Sequence, residues 1–262
     1  MAGLQIRFED GAGYERMMGT WSRLTGDIFL DWLAPRSGLR WIDVGCGNGA
    51  FTELLAERCS PAEIQGIDPS DAQLAFARGR PSARIAKFQK GDAMALPFAE
   101  NSFDAAVMAL VIFFVPEPAK GVAEMARVVS PGGTVSAYAW DVTGGGLPAA
   151  PIQIEMRALG LSPPLPPSFE ASRLESLREL WKGAGLEAVE TRTISVQRTF
   201  RSFDEFWEIN QLGASIAAVV ATLSPDDAEL LKSRVRARMP ADAAGRITYS
   251  ARANAVKGRK PT

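Results

Sequence analysis

The chain has 262 residues, 29 basic and 30 acidic side chains, a formal net charge of −1 and 47% hydrophobic residues. That is ordinary globular composition, enough for one elaborated domain with a sizeable core, and the charge balance excludes a protein that grips nucleic acid by bulk electrostatics. Two cysteines, Cys46 and Cys59, make no disulfide scaffold, and the absence of histidine removes Ser-His-Asp and Cys-His catalysis and the histidine-bearing zinc sites.

Taken in order, Leu24, Ile28, Trp32 and Leu33 mark a first helix. A short strand over 40–44 (RWIDV) runs into GCGNGA, and Phe51, Leu54, Leu55 and Arg58 carry the next helix to Ser60-Pro61. A second strand, 63–68 (EIQGID), is followed by Ser70 and Gln73, a capping box for a helix over 71–78. Strands are expected at 84–89, at 103–112 (near-continuously apolar, as a buried parallel strand is) and at 134–140. Val122, Met125 and Val129 mark the helix between the last two. Residues 142–167 hold three consecutive glycines and six prolines, which predicts an irregular cover. Ser172 with Glu175, Ser202 with Glu205, and Ser224 with Pro225 open further helices, and strands follow at 188–200 and 246–256. Arg246, Arg252, Lys257, Arg259 and Lys260 meet no acid over 246–260, which reads as a solvated tail. The longest apolar run, Ala105 to Pro116, is shorter than the ~20 residues of a membrane span. Residues 1–16 have early acids and no apolar stretch, so no signal peptide and a cytoplasmic location are expected.

The alternation of strands and helices predicts an α/β, doubly wound, mostly parallel sheet. Three parts are expected: 1–35 as a helical segment over a cofactor, 36–141 as the cofactor-binding core, and 142–262 as the rest of the sheet with an inserted substrate cover at 142–172 and 202–240. The chemistry sits in Asp43-Val44-Gly45-Cys46-Gly47-Asn48-Gly49, a glycine loop between a strand and a helix N-terminus. A dinucleotide fingerprint is G-x-G-x-x-G; this loop is one residue shorter, with an acid two positions before its first glycine. Asp68, at the end of the second strand, is placed to accept ribose hydroxyls, an arrangement that serves nicotinamide dinucleotides and S-adenosylmethionine alike. Asp92, in GDAMALPF (91–98), is placed to receive an adenine amino group and favours the second cofactor.

DVGCGNG, GIDPS, GDAMALPF, FDAAVMALVIFFVPEP and ARVVSPGG together resemble, in order and spacing, the class I S-adenosylmethionine-dependent methyltransferases. The likeness is to the bacterial small-molecule group related to the ubiquinone and menaquinone biosynthesis methyltransferases. It covers residues 14–140, and YERMMGTWSR (14–23) is similar to the segment before the core in a bacterial subgroup. The resemblance implies a seven-stranded sheet whose last strand is antiparallel. It implies that Gly45, Cys46, Gly47 and Asn48 line the methionine side of the cofactor and that Gly49 starts the helix. Asp68 would hold the ribose with Pro69 beside it, Asp92 and Ala93 would meet adenine, and Ala109 and Leu110 would border the methyl; Gln73 and Met94 are further candidates. Trp21 and Arg23 are expected over the cofactor, Trp21 stacking and Arg23 meeting a carboxylate.

The stretch Ala109 to Phe114 lacks the Asn/Asp-Pro-Pro-Tyr/Phe of base-methylating enzymes and the acids of a catechol-type metal site, so no nucleic-acid acceptor and no metal are expected. Methyl transfer is a direct displacement that needs a base only if the acceptor must lose a proton. Asp141, at the end of the fifth strand, ranks first as that base, ahead of Glu117, Tyr14 and Tyr138. Phe169, Phe203, Phe206 and Trp207 suggest an apolar acceptor pocket, walled by Leu110, Phe114, the 142–167 segment and 202–238. The expected activity is methyl transfer to a small, largely apolar molecule. The alternatives are a methyltransferase-like cofactor-binding protein without catalysis and a nicotinamide-dependent oxidoreductase. The acceptor and the oligomeric state stay open.

Overall fold

The computed structural model describes Gly13 and residues 15–262. Seven strands form one sheet: β1 (Arg40–Val44), β2 (Glu63–Asp68), β3 (Ala86–Lys90), β4 (Phe103–Ala109), β5 (Val129–Trp140), β6 (Glu187–Phe200) and β7 (Ile247–Arg259). Their order is β3-β2-β1-β4-β5-β7-β6. The first five are parallel, and β7 runs antiparallel to both of its neighbours. Strand order reverses between β1 and β4, so a crevice opens at their carboxyl ends, where such sheets take ligands. Ile42, Val44, Ala106, Val107 and Met108 are fully buried in these central strands, which explains their unbroken apolar character.

Nine helices of the described chain flank or cover the sheet: α1 (Thr20–Leu33), α2 (Ala50–Cys59), α3 (Asp71–Arg78), α4 (Pro118–Val128), α5 (Ala150–Ala158), α6 (Leu174–Gly183), α7 (Phe203–Gln211), α8 (Ala214–Val220) and α9 (Pro225–Arg238). Serine hydroxyls cap three of them. Ser70 accepts the Gln73 N–H at 3.3 Å, Ser202 that of Glu205 at 3.2 Å, and Ser224 that of Asp227 at 3.1 Å. Each such cap contributes about 1 kcal/mol. No helix among the described residues is long and apolar enough to cross a membrane.

Four local expectations are corrected. Ser172 does not cap α6; it is fully buried, donates to the Phe169 carbonyl at 2.7 Å and accepts the Val142 N–H at 3.3 Å. The 142–167 segment is not wholly irregular, because Ile152 and Met156, one helical turn apart and fully buried, hold α5 against the body. β4 stops at Ala109, where Leu110 turns left-handed (φ 63°) into a short helical turn, Ile112–Phe114. The basic stretch 246–260 is not a solvated tail, since β7 lies between β5 and β6 and buries Ala251, Ala253, Ala255 and Val256. Its charges find distant partners: Arg252 meets Asp141, and Lys260 donates to the carbonyls of Arg127 and Val129.

Candidate functional site

The loop after β1 turns back on itself through three glycines with positive φ, Gly45 (76°), Gly47 (52°) and Gly49 (80°). Side chains rarely adopt that region, so glycine is what permits the turn. The N–H groups of Gly45 and Cys46 both donate to the Ile67 carbonyl, at 2.7 and 2.9 Å, which fastens the loop to the end of β2. Gly45 is also a close approach. A Cβ there would lie 2.5 Å from both γ-methyls of Val111, so the chain beyond β4 rests directly on bare main chain. Gly47 differs: a Cβ there would meet nothing nearer than Gln73 Oε1 at 4.0 Å. The loop thus presents an open concave face at Gly47 and a packed one at Gly45.

Asp68 closes that face. One carboxylate oxygen accepts the Gly47 N–H at 2.9 Å and the other the Ser70 N–H at 2.8 Å. Each oxygen has a second lone pair, so two further hydroxyls find acceptors here. Burial raises the Asp68 pKa from its ordinary value, opposed by the two N–H bonds. Pro69 is exposed beside it, and Gln73 is buried against the loop. Cys46 turns its sulfur into the core, and burial, aided by Asp43 and Asp68, pushes its thiol pKa well up. Only its backbone faces the loop's concavity. Asn48 is 2% exposed; its side-chain oxygen accepts the Ala50 N–H at 3.2 Å and its amide donates to Glu15 at 2.8 Å. Asp92 is exposed, with one oxygen taking the Met94 N–H at 2.8 Å, and Ala93 and Met94 are half-buried after it. Leu110, buried and left-handed, donates its N–H to the Tyr138 carbonyl at 2.8 Å, which holds the end of β4 beside β5 as the chain turns away.

Asp43 takes a larger part than its sequence position indicated. It is fully buried below the loop; one oxygen accepts the Thr52 hydroxyl at 2.6 Å and Oδ1 has no partner among the described residues. Burial raises its pKa to about 7, against the lowering effect of Thr52. Glu15 and Arg80 were also missed. Arg80 binds Glu53 at 2.6 Å, the Asn48 carbonyl at 2.6 Å and Glu15, so the segment before α1 is tied to the glycine loop. No local pattern announces a contact between residues 15 and 80.

Other expected residues lie apart from the loop. Trp21 is 1% exposed, edge-packed against Trp140 and Tyr249 at 6.4 and 6.5 Å and tilted on Phe200 at 6.3 Å, so it anchors α1 and has no free face for stacking. Arg23 pairs with Glu57 at 2.6 Å on the solvent side of α1 and α2. Asp141 is not poised as a base. Arg252 grips Oδ2 at 2.7 and 2.9 Å, and Oδ1 accepts the Gly144 N–H at 2.9 Å, so it caps the turn leaving β5. Tyr138 is a core ring, 4.8 Å from Phe29 and 5.6 Å from Phe51; Glu117 is exposed at the start of α4; Tyr14 lies outside the described residues. A cleft of about 620 Å³ lined by Leu33, Trp41, Asp104 and Thr134 lies at the amino ends of β1, β4 and β5, the opposite edge from the loop.

A parallel sheet reversing at β1 and β4, a final antiparallel strand inserted beside β5, and a glycine loop facing an acid at the end of β2 define the class I, Rossmann-like methyltransferase fold. Residues 42–137 match the methyltransferase domain family. The ubiquinone/menaquinone biosynthesis C-methyltransferase UbiE of Dinoroseobacter shibae is 37% identical over 121 residues, 45% of this chain and 48% of the relative. The chain thus spans about half the length of the curated relatives it matches. Among solved structures, the YcgJ protein from Bacillus subtilis superposes with a TM-score of 0.59 at 15% identity, over 91% of this chain and 98% of that one. Haemonchus contortus phosphoethanolamine N-methyltransferase 2, solved in complex with S-adenosyl-L-methionine, has a TM-score of 0.59 at 21% identity, covering 96% of this chain and 57% of that one. At such identities the structural likeness is one of fold.

Proposed function

We propose that the chain is an S-adenosylmethionine-dependent methyltransferase that acts on a small molecule by direct displacement. The observation that carries this reading is the open face at Gly47 set against the Asp68 carboxylate, a cradle into which a Cβ at Gly47 would project. The surrounding residues suit the cofactor. Asp68 offers two unspent lone pairs for a ribose diol, and Pro69 and Gln73 flank it. Asp92, with Ala93 and Met94, suits an adenine edge. The backbone from Gly45 to Gly49, ahead of α2, suits the amino-acid end, and Asp43 below it supplies a buried carboxyl that a cationic group would help to ionise. Ala109 and Leu110 border the position expected for the methyl.

When bound, S-adenosylmethionine supplies an electrophilic methyl group on a sulfonium. The chain's task is then to position the acceptor and exclude water. No base is assigned, because Asp141 is held by Arg252 and Tyr138 is a core ring. The UbiE-type likeness, which carries the word C-methyltransferase for that relative, suggests a quinone-like ring carbon as one acceptor class for this chain. The acceptor is expected in the space bounded by Leu110, Phe114, the 142–167 segment with α5, and α7 to α9, with no nucleic acid as partner.

Calorimetry with S-adenosylhomocysteine and with NAD tests the reading. Binding of the first and not the second is expected. Measurable NAD binding with none for S-adenosylhomocysteine would overturn it.

A further inference from the structure

Six arginines among the described residues are half-buried: Arg40, Arg80, Arg127, Arg178, Arg198 and Arg252. Five meet a carboxylate within 2.8 Å. Arg198 meets none. Its guanidinium lies 4.6 Å from the Phe200 ring and spends one N–H on the Met17 carbonyl at 3.3 Å, out of five donors. The nearby Glu205 is engaged by Arg201, through Nε at 3.0 Å and the backbone N–H at 2.5 Å. Arg198 also occupies the inward register of β6, in series with the buried Ile194, Val196 and Phe200. Glu205 therefore acts on Arg198 only from beyond ion-pair distance, and a partly desolvated cation with no carboxylate in contact is unfavourable unless something else supplies the charge.

Its position says where that charge would come from. β6 runs antiparallel to β7, and β7 antiparallel to β5, so the end of β6 lies at the same sheet edge as the ends of β1 and β4. β6 is three strands out from β4, about 14 Å at strand spacing. The segment before α1 joins the two ends: Glu15 holds Asn48 of the glycine loop, and two residues on, Met17 receives Arg198. Between β4 and β6 the edge is backed by the packed, buried rings of Trp140, Trp21 and Phe200. Trp140 adds an indole N–H, buried and without an acceptor among the described residues.

We propose that Arg198 is the anion-binding residue of the acceptor site, so that the methyl acceptor is a small acid with an apolar body and a carboxylate. The body lies on the Leu110 side, and the carboxylate docks on the edge of the guanidinium whose face Phe200 supports. This rests on the methyl-transfer reading, and it narrows the expected largely apolar acceptor to one with an acidic end.

The test uses the full chain saturated with S-adenosylhomocysteine. It is titrated with 3-phenylpropanoate and with the uncharged 3-phenylpropanamide, followed by NMR. Preference for the acid is expected, with Arg198→Gln weakening the acid by about tenfold or more, the usual effect of losing a charge-assisted bond. Amide and S-adenosylhomocysteine affinities should stay within about twofold, which also reports that the variant is folded, and Arg198→Lys should recover part of the loss. Equal binding of acid and amide, no binding of the acid, or an Arg198→Gln variant that binds the acid like the parent overturns the inference while leaving the cofactor reading intact. Failure of S-adenosylhomocysteine to bind overturns both.

Discussion

Asp68 and Asp43 are both buried acids beside the same loop, yet they differ in what satisfies them. Asp68 has two N–H donors and stays useful as an acceptor, so Asp68→Ala is expected to weaken S-adenosylhomocysteine binding by about 1.5–3 kcal/mol. Calorimetry on the folded variant measures it, and an unchanged dissociation constant would place the ribose elsewhere. Because burial raises the Asp68 pKa, binding should weaken as the pH falls through that raised value. Asp43 has one donor and an unmet oxygen, and its pKa lies near about 7. An acid whose folded pKa exceeds its unfolded value of about 4 binds protons more tightly when folded, so stability declines as the pH rises through that window. Denaturant titrations from pH 5 to pH 8, values chosen to bracket the shift, should show the parent losing stability relative to Asp43→Asn. A parallel decline in both proteins would remove Asp43 as the cause.

The glycine loop makes a sharper distinction between folding and binding. Gly45→Ala drives a methyl into Val111, so it should destabilise the fold, and Val111→Ala should recover part of the loss. Gly47→Ala meets no neighbour and bears only the strain of a left-handed alanine, about 1–2 kcal/mol. It should leave a folded protein whose S-adenosylhomocysteine affinity falls by far more than its stability. Thermal melts and calorimetry on the two variants decide this, and a Gly47→Ala protein that binds like the parent would mean the ligand does not enter the loop's concavity. α1 has a different role from the one its sequence suggested. Trp21 serves the core, and it is Glu15, just ahead of the helix, that reaches the loop through Asn48 and Arg80.

Across the molecule, the arrangement depends on the last strand. β7 carries the backbone bonds that join β5 to β6, and its Arg252 locks Asp141 at the exit of β5. Deleting residues 247–262 would strip an interior strand and leave the facing edges of β5 and β6 unpaired. The shortened chain is expected to lose its cooperative thermal transition by circular dichroism; a retained sharp transition would mean that β1 to β5 fold without it. Asp141→Asn, by contrast, should lower stability modestly through the loss of the Arg252 pair, without the pH-dependent rate change that loss of a general base would cause.

The loop, Asp68 and Asp92 beside it, the succession of strands and helices along the chain and three of the helix caps could be read from the residues alone. Each depends on a few consecutive positions: a glycine that admits positive φ, an acid that ends a strand, a serine three residues before an N–H. Such features act within one turn of chain. Trp21, Arg23, Asp141, Arg198 and the basic end of the chain were different, because their roles depend on partners far away in sequence. Asp141 and Arg252 are 111 positions apart, and Met17 and Arg198 are 181 apart. A charge in a sequence is compatible with solvent, an ion pair or a ligand, and only the packing of β6 and β7 against the rest decides among them. That packing neutralises Arg252 and leaves Arg198 without an ion pair among the described residues.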